Sequence, residues 1–311
     1  MKENFNGIFP YLVSPINEDG TIKEGSLRQI VEHLIDCGVH GLVPLGSTGE
    51  FYYLNNEQKR KIVEIVVDQA AGRVPVIAGV ASSSTLEATI QAKDYEKIGE
   101  DGILLILNVY FPLKQEDVYN YFKDVSESVS CPIVIYNNPK FTGFEIQTDT
   151  LNRLSQIQNI RYYKDASANT GRLFEIKNIT EGKLDIFSAS AHVPVFVMMM
   201  GGNGWMAGPA CVIPRESIRL YNMCCEKRWD EAMEYQKKIW KMNSVFQKYN
   251  LAACIKAALN LQGFDVGYPV APNALLSDEA INEIKDVLVE IQGDDYKVIN
   301  KAEISRLSVY K

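Results

Sequence analysis

Short apolar runs alternate with longer stretches of helical periodicity from residue 7 to about residue 225, and few folds accommodate that pattern. The apolar runs are 7–13, 41–45, 74–80, 102–107, 132–136, 160–164, 184–188 and 204–207. Helical stretches follow them at 24–37, from Asn55 onward, and at 84–98, 115–129, 147–155, 170–179, 193–200 and 214–227. Leu27, Ile30, Val31, Leu34 and Ile35 lie at helical spacing, and Asn55 with Gln58 three residues on predicts an N-cap. Runs that are apolar nearly throughout predict strands buried on both faces, as in a parallel sheet. Eight strand–helix units favour an α/β fold of the closed kind, the (β/α)8 TIM barrel, over a doubly wound open sheet. Residues 1–227 are read as the barrel and 228–311 as a C-terminal helical extension. Helices are predicted there at 229–248, 251–261 and 277–291, with a Gly/Pro-rich break at 263–272.

Composition excludes several functions. A net charge of −7 and a pI near 5.2 argue against a nucleic-acid or anionic-membrane surface. The longest apolar run, 193–200, is too short to span a bilayer. The six cysteines are scattered without a CxxC pair, so they read as reduced, mostly core residues rather than disulfides or metal ligands. With a polar stretch at 1–6, which does not read as a secretion signal, the expectation is a cytoplasmic protein.

A barrel carries its chemistry at the C-terminal ends of its strands. After the second run comes Gly46-Ser47-Thr48-Gly49-Glu50, whose hydroxyls and free N–H groups suit a carboxylate but also fit a plain turn. No Gly-Lys-Ser/Thr follows, which argues against nucleotide phosphate. Tyr110 lies after the fourth run, in an aromatic turn, and Tyr136-Asn137-Asn138-Pro139 follows the fifth. A strand-end tyrosine either relays a proton or fills the core with its hydroxyl satisfied. Lys164 ends the sixth run, and the 28 residues between it and Tyr136 make about one strand–helix unit, so the two share a level on neighbouring strands. A solvated lysine is protonated and inert; in a dry site its free amine attacks a ketone. An amine, phenols and a hydroxyl nest are what imine chemistry on a 2-oxo acid requires.

In Gly46-Ser47-Thr48-Gly49-Glu50, Tyr136-Asn137-Asn138-Pro139 and Tyr163-Lys164-Asp165, the chain resembles the dihydrodipicolinate synthase / N-acetylneuraminate lyase family of class I pyruvate-dependent lyases, over essentially its whole length. The resemblance implies that Lys164 forms the imine, that Tyr136 transfers protons and that Ser47 and Thr48 bind the carboxylate, with Thr48 also in a proton relay. It implies that Tyr110 enters a neighbouring subunit's site. It further implies a homotetramer built as a dimer of dimers, acting on a small-molecule 2-oxo acid with neither metal nor organic cofactor.

Departures from the family pattern bear on the substrate. Where the synthase branch carries an arginine five residues after the motif tyrosine, this chain has Phe141, with Lys140 beside it as a poor substitute. Where the sialic-acid branch carries an acidic pair, this chain has Ser190-Ala191-His192. The expectation is cleavage or dehydration of a 2-keto-3-deoxy sugar acid or related 2-oxo acid, in a pocket with Gly46, Asn138, Phe141, Ser190 and His192. Deamination of a cyclic imino acid is a further chemistry of the family. The alternatives are a 4-hydroxy-tetrahydrodipicolinate synthase, joining pyruvate to aspartate semialdehyde, and a non-catalytic 2-oxo acid binding or regulatory protein. Gly201-Gly202-Asn203-Gly204 faintly suggests a phosphate loop. His192 either meets a substrate group or caps a helix; His33 and His40 read as structural, and Trp205 as pocket wall or core.

Overall fold

The computed structural model describes residues 4–190 and 192–293. The part of the expected extension at 294–311 therefore lies outside the described residues, as does Ala191. Seven parallel strands form one curled sheet: β1 (Gly7–Pro10), β2 (Ile77–Ser82), β3 (Gly102–Leu107), β4 (Ile133–Asn137), β5 (Ile160–Asp165), β6 (Asp185–Ser188) and β7 (Gly204–Ala207), ordered β1-β7-β6-β5-β4-β3-β2. The expected strand at 41–45 is not regular, yet it closes the barrel. Val43 N donates to Pro10 O and Leu12 N to Val43 O, both at 3.0 Å. On the other side Leu42 N donates to Pro75 O and Ile77 N to Leu42 O, both at 2.9 Å. Pro44 still accepts from Gly79 N at 3.0 Å but brings no N–H to a ladder, and Leu45 turns to φ 59°, so the stave ends there.

Alternation along the staves separates two cores. Phe9, Val43, Ile77, Leu104, Val134, Tyr162, Phe187 and Met206 point inward, one from each of the eight staves, and all are fully buried. Burying each is worth about 1.5–3 kcal/mol. The larger apolar layer lies between the sheet and the surrounding helices. Those helices are α1 (Glu24–Asp36), α2 (Asn56–Ala70), α3 (Thr85–Ile98), α4 (Gln115–Ser126), α5 (Pro139–Thr142), α6 (Thr148–Leu154), α7 (Thr170–Ile179), α8 (Pro194–Met199), α9 (Pro209–Val212) and α10 (Pro214–Cys225). Three more follow: α11 (Trp229–Lys248), α12 (Leu251–Leu261) and α13 (Asp278–Gln292). Asn55 caps α2 through the expected reciprocal pair with Gln58.

All six cysteines are free thiols. Four are buried and Cys37 is half-buried, but Cys225 at the end of α10 is exposed and is not the core residue expected of most of them. Trp205 packs with Ile8, Ala207 and Ala210 on the outer face of the sheet, so it does not wall the mouth. His40 Nδ1 accepts from Ile8 N at 3.2 Å, and the His33 ring lies 5.1 Å from that of Phe264.

Candidate active site

Lys164 points into the barrel one level above Tyr162, because alternation on β5 turns both inward. Its side chain is buried. Nζ lies 3.8 Å from the ring centroid of Tyr11 and 3.9 Å from that of Tyr136. No ion pair to Lys164 occurs among the described residues, and burial pushes its amine well below the ordinary lysine range. Lys164 is paired in register with Tyr136 of β4, so the expected neighbouring strands and common level are observed.

Around this pair the strand ends supply polar groups. The Tyr136 hydroxyl accepts from Asn138 Nδ2 at 2.8 Å and shares a hydrogen bond with the Ser47 side chain. Burial raises the Tyr136 phenol above its ordinary range, and those two bonds oppose the rise. Gly46 gives Tyr11 room: a Cβ there would meet the ring at 2.3 Å. Thr48 is buried and its Oγ1 has no partner among the described residues. Gly208, just past β7, leaves space for it, since a Cβ there would lie 2.4 Å from Thr48 Oγ1. Residues 46–48 thus adjoin Tyr136, and Tyr11, which the sequence reading did not single out, joins them.

Two supporting assemblies escaped the sequence reading. Glu50, at φ 54°, turns its carboxylate away from the mouth toward the C-terminal helices. It pairs with Lys256 of α12 at 2.6 Å and accepts from Val270 N at 2.8 Å and Asn273 Nδ2 at 3.2 Å. Lys256 also donates to Tyr268 O at 2.8 Å. The second assembly surrounds Asp165, which faces the opposite side of β5 from Lys164. Its carboxylate accepts from Asn137 Nδ2 at 2.7 Å, Tyr163 OH at 2.8 Å and Ser167 N at 3.3 Å, and from the Ser167 hydroxyl. His192 Nε2 lies 3.2 Å from Oδ2. Burial acts to raise the Asp165 carboxyl, and the bonds from His192, Ser167, Asn137 and Tyr163 outweigh it and hold the group below its usual range. An aspartate directly after the candidate lysine was a signal for this network, since successive strand residues face opposite sides and Asp165 therefore shares a face with Tyr163, not with Lys164.

Other candidates sit elsewhere. Tyr110 is 86% exposed and Phe141 61% exposed. The Ser190 carbonyl accepts from Asn243 and Gln247 of α11 at 3.3 and 3.1 Å. His192 has its ring fully buried against Asp165, and the start of α8 has no side-chain cap, which corrects the helix-capping expectation. The glycine stretch 201–204 lies on the approach to β7, at the opposite end of that strand from Gly208, which removes the phosphate-loop reading. No group of three or more His, Cys, Asp or Glu side chains is set to hold a metal among the described residues, and none of their helices is long and apolar enough to cross a membrane.

A sequence model of the dihydrodipicolinate synthetase family matches residues 4–291. The 4-hydroxy-tetrahydrodipicolinate synthase of Methanothrix thermoacetophila is 33% identical over 289 residues, 92% of this chain and 97% of that protein. The solved 4-hydroxy-tetrahydrodipicolinate synthase of Methylacidiphilum fumariolicum SolV matches with a TM-score of 0.89 at 26% identity, over 98% of this chain and 99% of that one. The dihydrodipicolinate synthase of Aquifex aeolicus matches with a TM-score of 0.87 at 30% identity, over 91% and 97%.

Proposed function

The chain belongs to the dihydrodipicolinate synthetase family and is a class I lyase; from that premise we propose that it condenses pyruvate with an aldehyde through an imine on Lys164, as a 4-hydroxy-tetrahydrodipicolinate synthase does with aspartate semialdehyde. The observation that carries the imine is the buried Lys164 amine between two aromatic rings, with Tyr136 opposite in register. The activity for which the relatives are named carries the choice of aldehyde and favours this reading over the sugar-acid expectation. Family membership also weighs against a non-catalytic binding protein.

Burial keeps a fraction of Lys164 as free amine. Its lone pair attacks C2 of the 2-oxo acid, forming the C–N bond as the carbonyl π pair moves to oxygen. Tyr136 carries a proton from nitrogen to that oxygen, and a second proton lets it leave as water, giving the iminium. The iminium draws electrons from C3, which loses a proton to the Tyr136 phenolate that supplied that second proton. C3 attacks the aldehyde carbon, the phenol returns a proton to the new alkoxide, and water adds to the iminium to release the product and restore the Lys164 amine. Ser47, Thr48 and the N–H groups beside them hold the carboxylate, and the unpartnered Thr48 Oγ1 is free to do so. Asn138 orients the Tyr136 hydroxyl. No metal or organic cofactor enters this scheme. Tyr110, exposed on the rim, is assigned to the site of a neighbouring subunit in a homotetramer built as a dimer of dimers.

One observation favours a second reading. Phe141 stands exposed where the synthase branch carries a carboxylate-binding arginine, which suits cleavage or dehydration of a 2-keto-3-deoxy sugar acid. Borohydride reduction with pyruvate should add mass at Lys164 and none in Lys164→Ala; absence of an adduct with any 2-oxo acid would sink the imine. Turnover of pyruvate with aspartate semialdehyde is the expected result. Turnover confined to sugar acids would transfer the assignment to the second reading.

A further inference from the structure

Tyr11 has no part in the scheme above, yet no other ring centroid lies closer to the Lys164 nitrogen among the described residues. It follows β1 on the closing side of the barrel, across the mouth from β4 and β5. The Tyr11 and Tyr136 rings meet edge to face, with centroids 6.4 Å apart and planes at 85°. Nζ lies at nearly the same distance from both centroids. Gly46 is what admits the Tyr11 ring, and the Tyr11 hydroxyl is buried with no partner among the described residues. A tyrosine retained only to fill space normally satisfies its hydroxyl. Here it is the ring face that has an occupant.

We propose that Tyr11 is a catalytic residue of this enzyme, its ring face joining that of Tyr136 to hold the positive charge of the imine nitrogen. This inference rests on Lys164 being the imine lysine. The nitrogen is cationic before attack as ammonium and after loss of water as iminium, and in a dry pocket with no carboxylate in contact it needs another counterpart. Two aromatic faces supply one without quenching the electron demand of the iminium, as a contacting carboxylate would. The same faces limit how far burial destabilises the ammonium. The groups facing Nζ are the phenols of Tyr11 and Tyr136; Asp165 lies on the other side of the strand.

The experiment keeps the shape of the side chain and removes only its π charge. Phenylalanine and its mono-, di- and trifluorinated forms are installed at position 11 of the full chain, and half-saturation by pyruvate is measured by borohydride trapping across pH. Tyr11→Phe should stay within about 3-fold of wild type, since the ring remains. Each added fluorine should weaken trapping, to roughly 10-fold or more at trifluorophenylalanine, and move the acid limb of the trapping profile to lower pH. Mere loosening of the pocket admits water and moves that limb upward. A flat series, or an upward shift, overturns the role of Tyr11. A wild-type protein that does not trap overturns the imine itself, so the two failures are distinguishable.

Discussion

Lys164 stands in the barrel with two phenol rings beside it and no ion pair among the described residues, and this burdens the fold. Its amine is held below the unfolded value by burial, so the unfolded chain binds more protons over the interval between the two values. Native stability therefore rises with pH through that interval, toward the ordinary lysine value of 10.5. Lys164→Met is accordingly expected to abolish trapping yet raise Tm at neutral pH, with the gain shrinking as the pH is raised; calorimetry at pH 7 and pH 9.5 checks this. Asp165 gives a pH dependence of the same sign, but it supports the fold where Lys164 burdens it. Its carboxyl lies below the unfolded value, so its contribution is present above the ordinary carboxylate range and is lost as pH falls through the native value. Asp165→Asn should cost about 2–4 kcal/mol at pH 7 in urea unfolding, with a smaller deficit at pH 3. Lys164 and Tyr136 were legible in the sequence because each ends an apolar run with a polar group that a strand end exposes to the mouth. Tyr11 was not, because an aromatic inside such a run is indistinguishable from core. The contact of His192 with Asp165 was not legible, because only the folded chain brings the two together, 27 residues apart.

The loop proposed to grip the carboxylate is tied at one end to a helix far along the chain. Ser14 Oγ donates to Gly49 O at 2.6 Å, and Glu50 reaches α12 through Lys256, with both ionic side chains about 1% exposed. Lys256→Met leaves the Glu50 carboxylate buried without its cation and should cost about 3–5 kcal/mol, read from the urea midpoint. Glu50→Gln together with Lys256→Met removes both charges and should recover most of that loss. Weaker half-saturation by pyruvate in the single variant, restored in the double, would tie the nest to α12. A double variant no more stable than the single would refute the pairing argument. Helices were the most legible elements: α11 and α12 run over the residues their periodicity predicts. The stave at 41–45 was legible in place but not in form, since Pro44 and the positive φ of Leu45 interrupt pairing that its apolar character implied. Neither Glu50 nor Lys256 announced the other, because a buried pair some 200 residues apart has no local signature.

For the whole molecule, eight staves and a helical ring were readable from repetition alone. How the last helices join them was not. The division at 227/228 remains our proposal, and the ties from α11 to Ser190 and from α12 to Glu50 argue that barrel and extension unfold together. The homotetramer is likewise proposed, and Tyr110 and Phe111, 86% and 73% exposed with rings in edge contact at 4.9 Å, are suited to a subunit contact. Tyr110→Ala is expected to lower kcat about 10-fold or more while leaving Lys164 trapping intact, with sedimentation velocity reporting the assembly. Unchanged kcat in a tetramer would remove Tyr110 from the reaction.

The helices run opposite to the strands, so α10 ends at the face of the barrel away from Lys164. Cys225 sits at that end and is the one exposed thiol of the six. Cys37 is half-buried, and burial pushes its thiol up to about 11, which slows alkylation at neutral pH. A maleimide dye should therefore attach at a single position, remote from the reacting lysine. The native chain thus carries its own labelling handle for single-molecule or surface-tethered work, without any engineered cysteine.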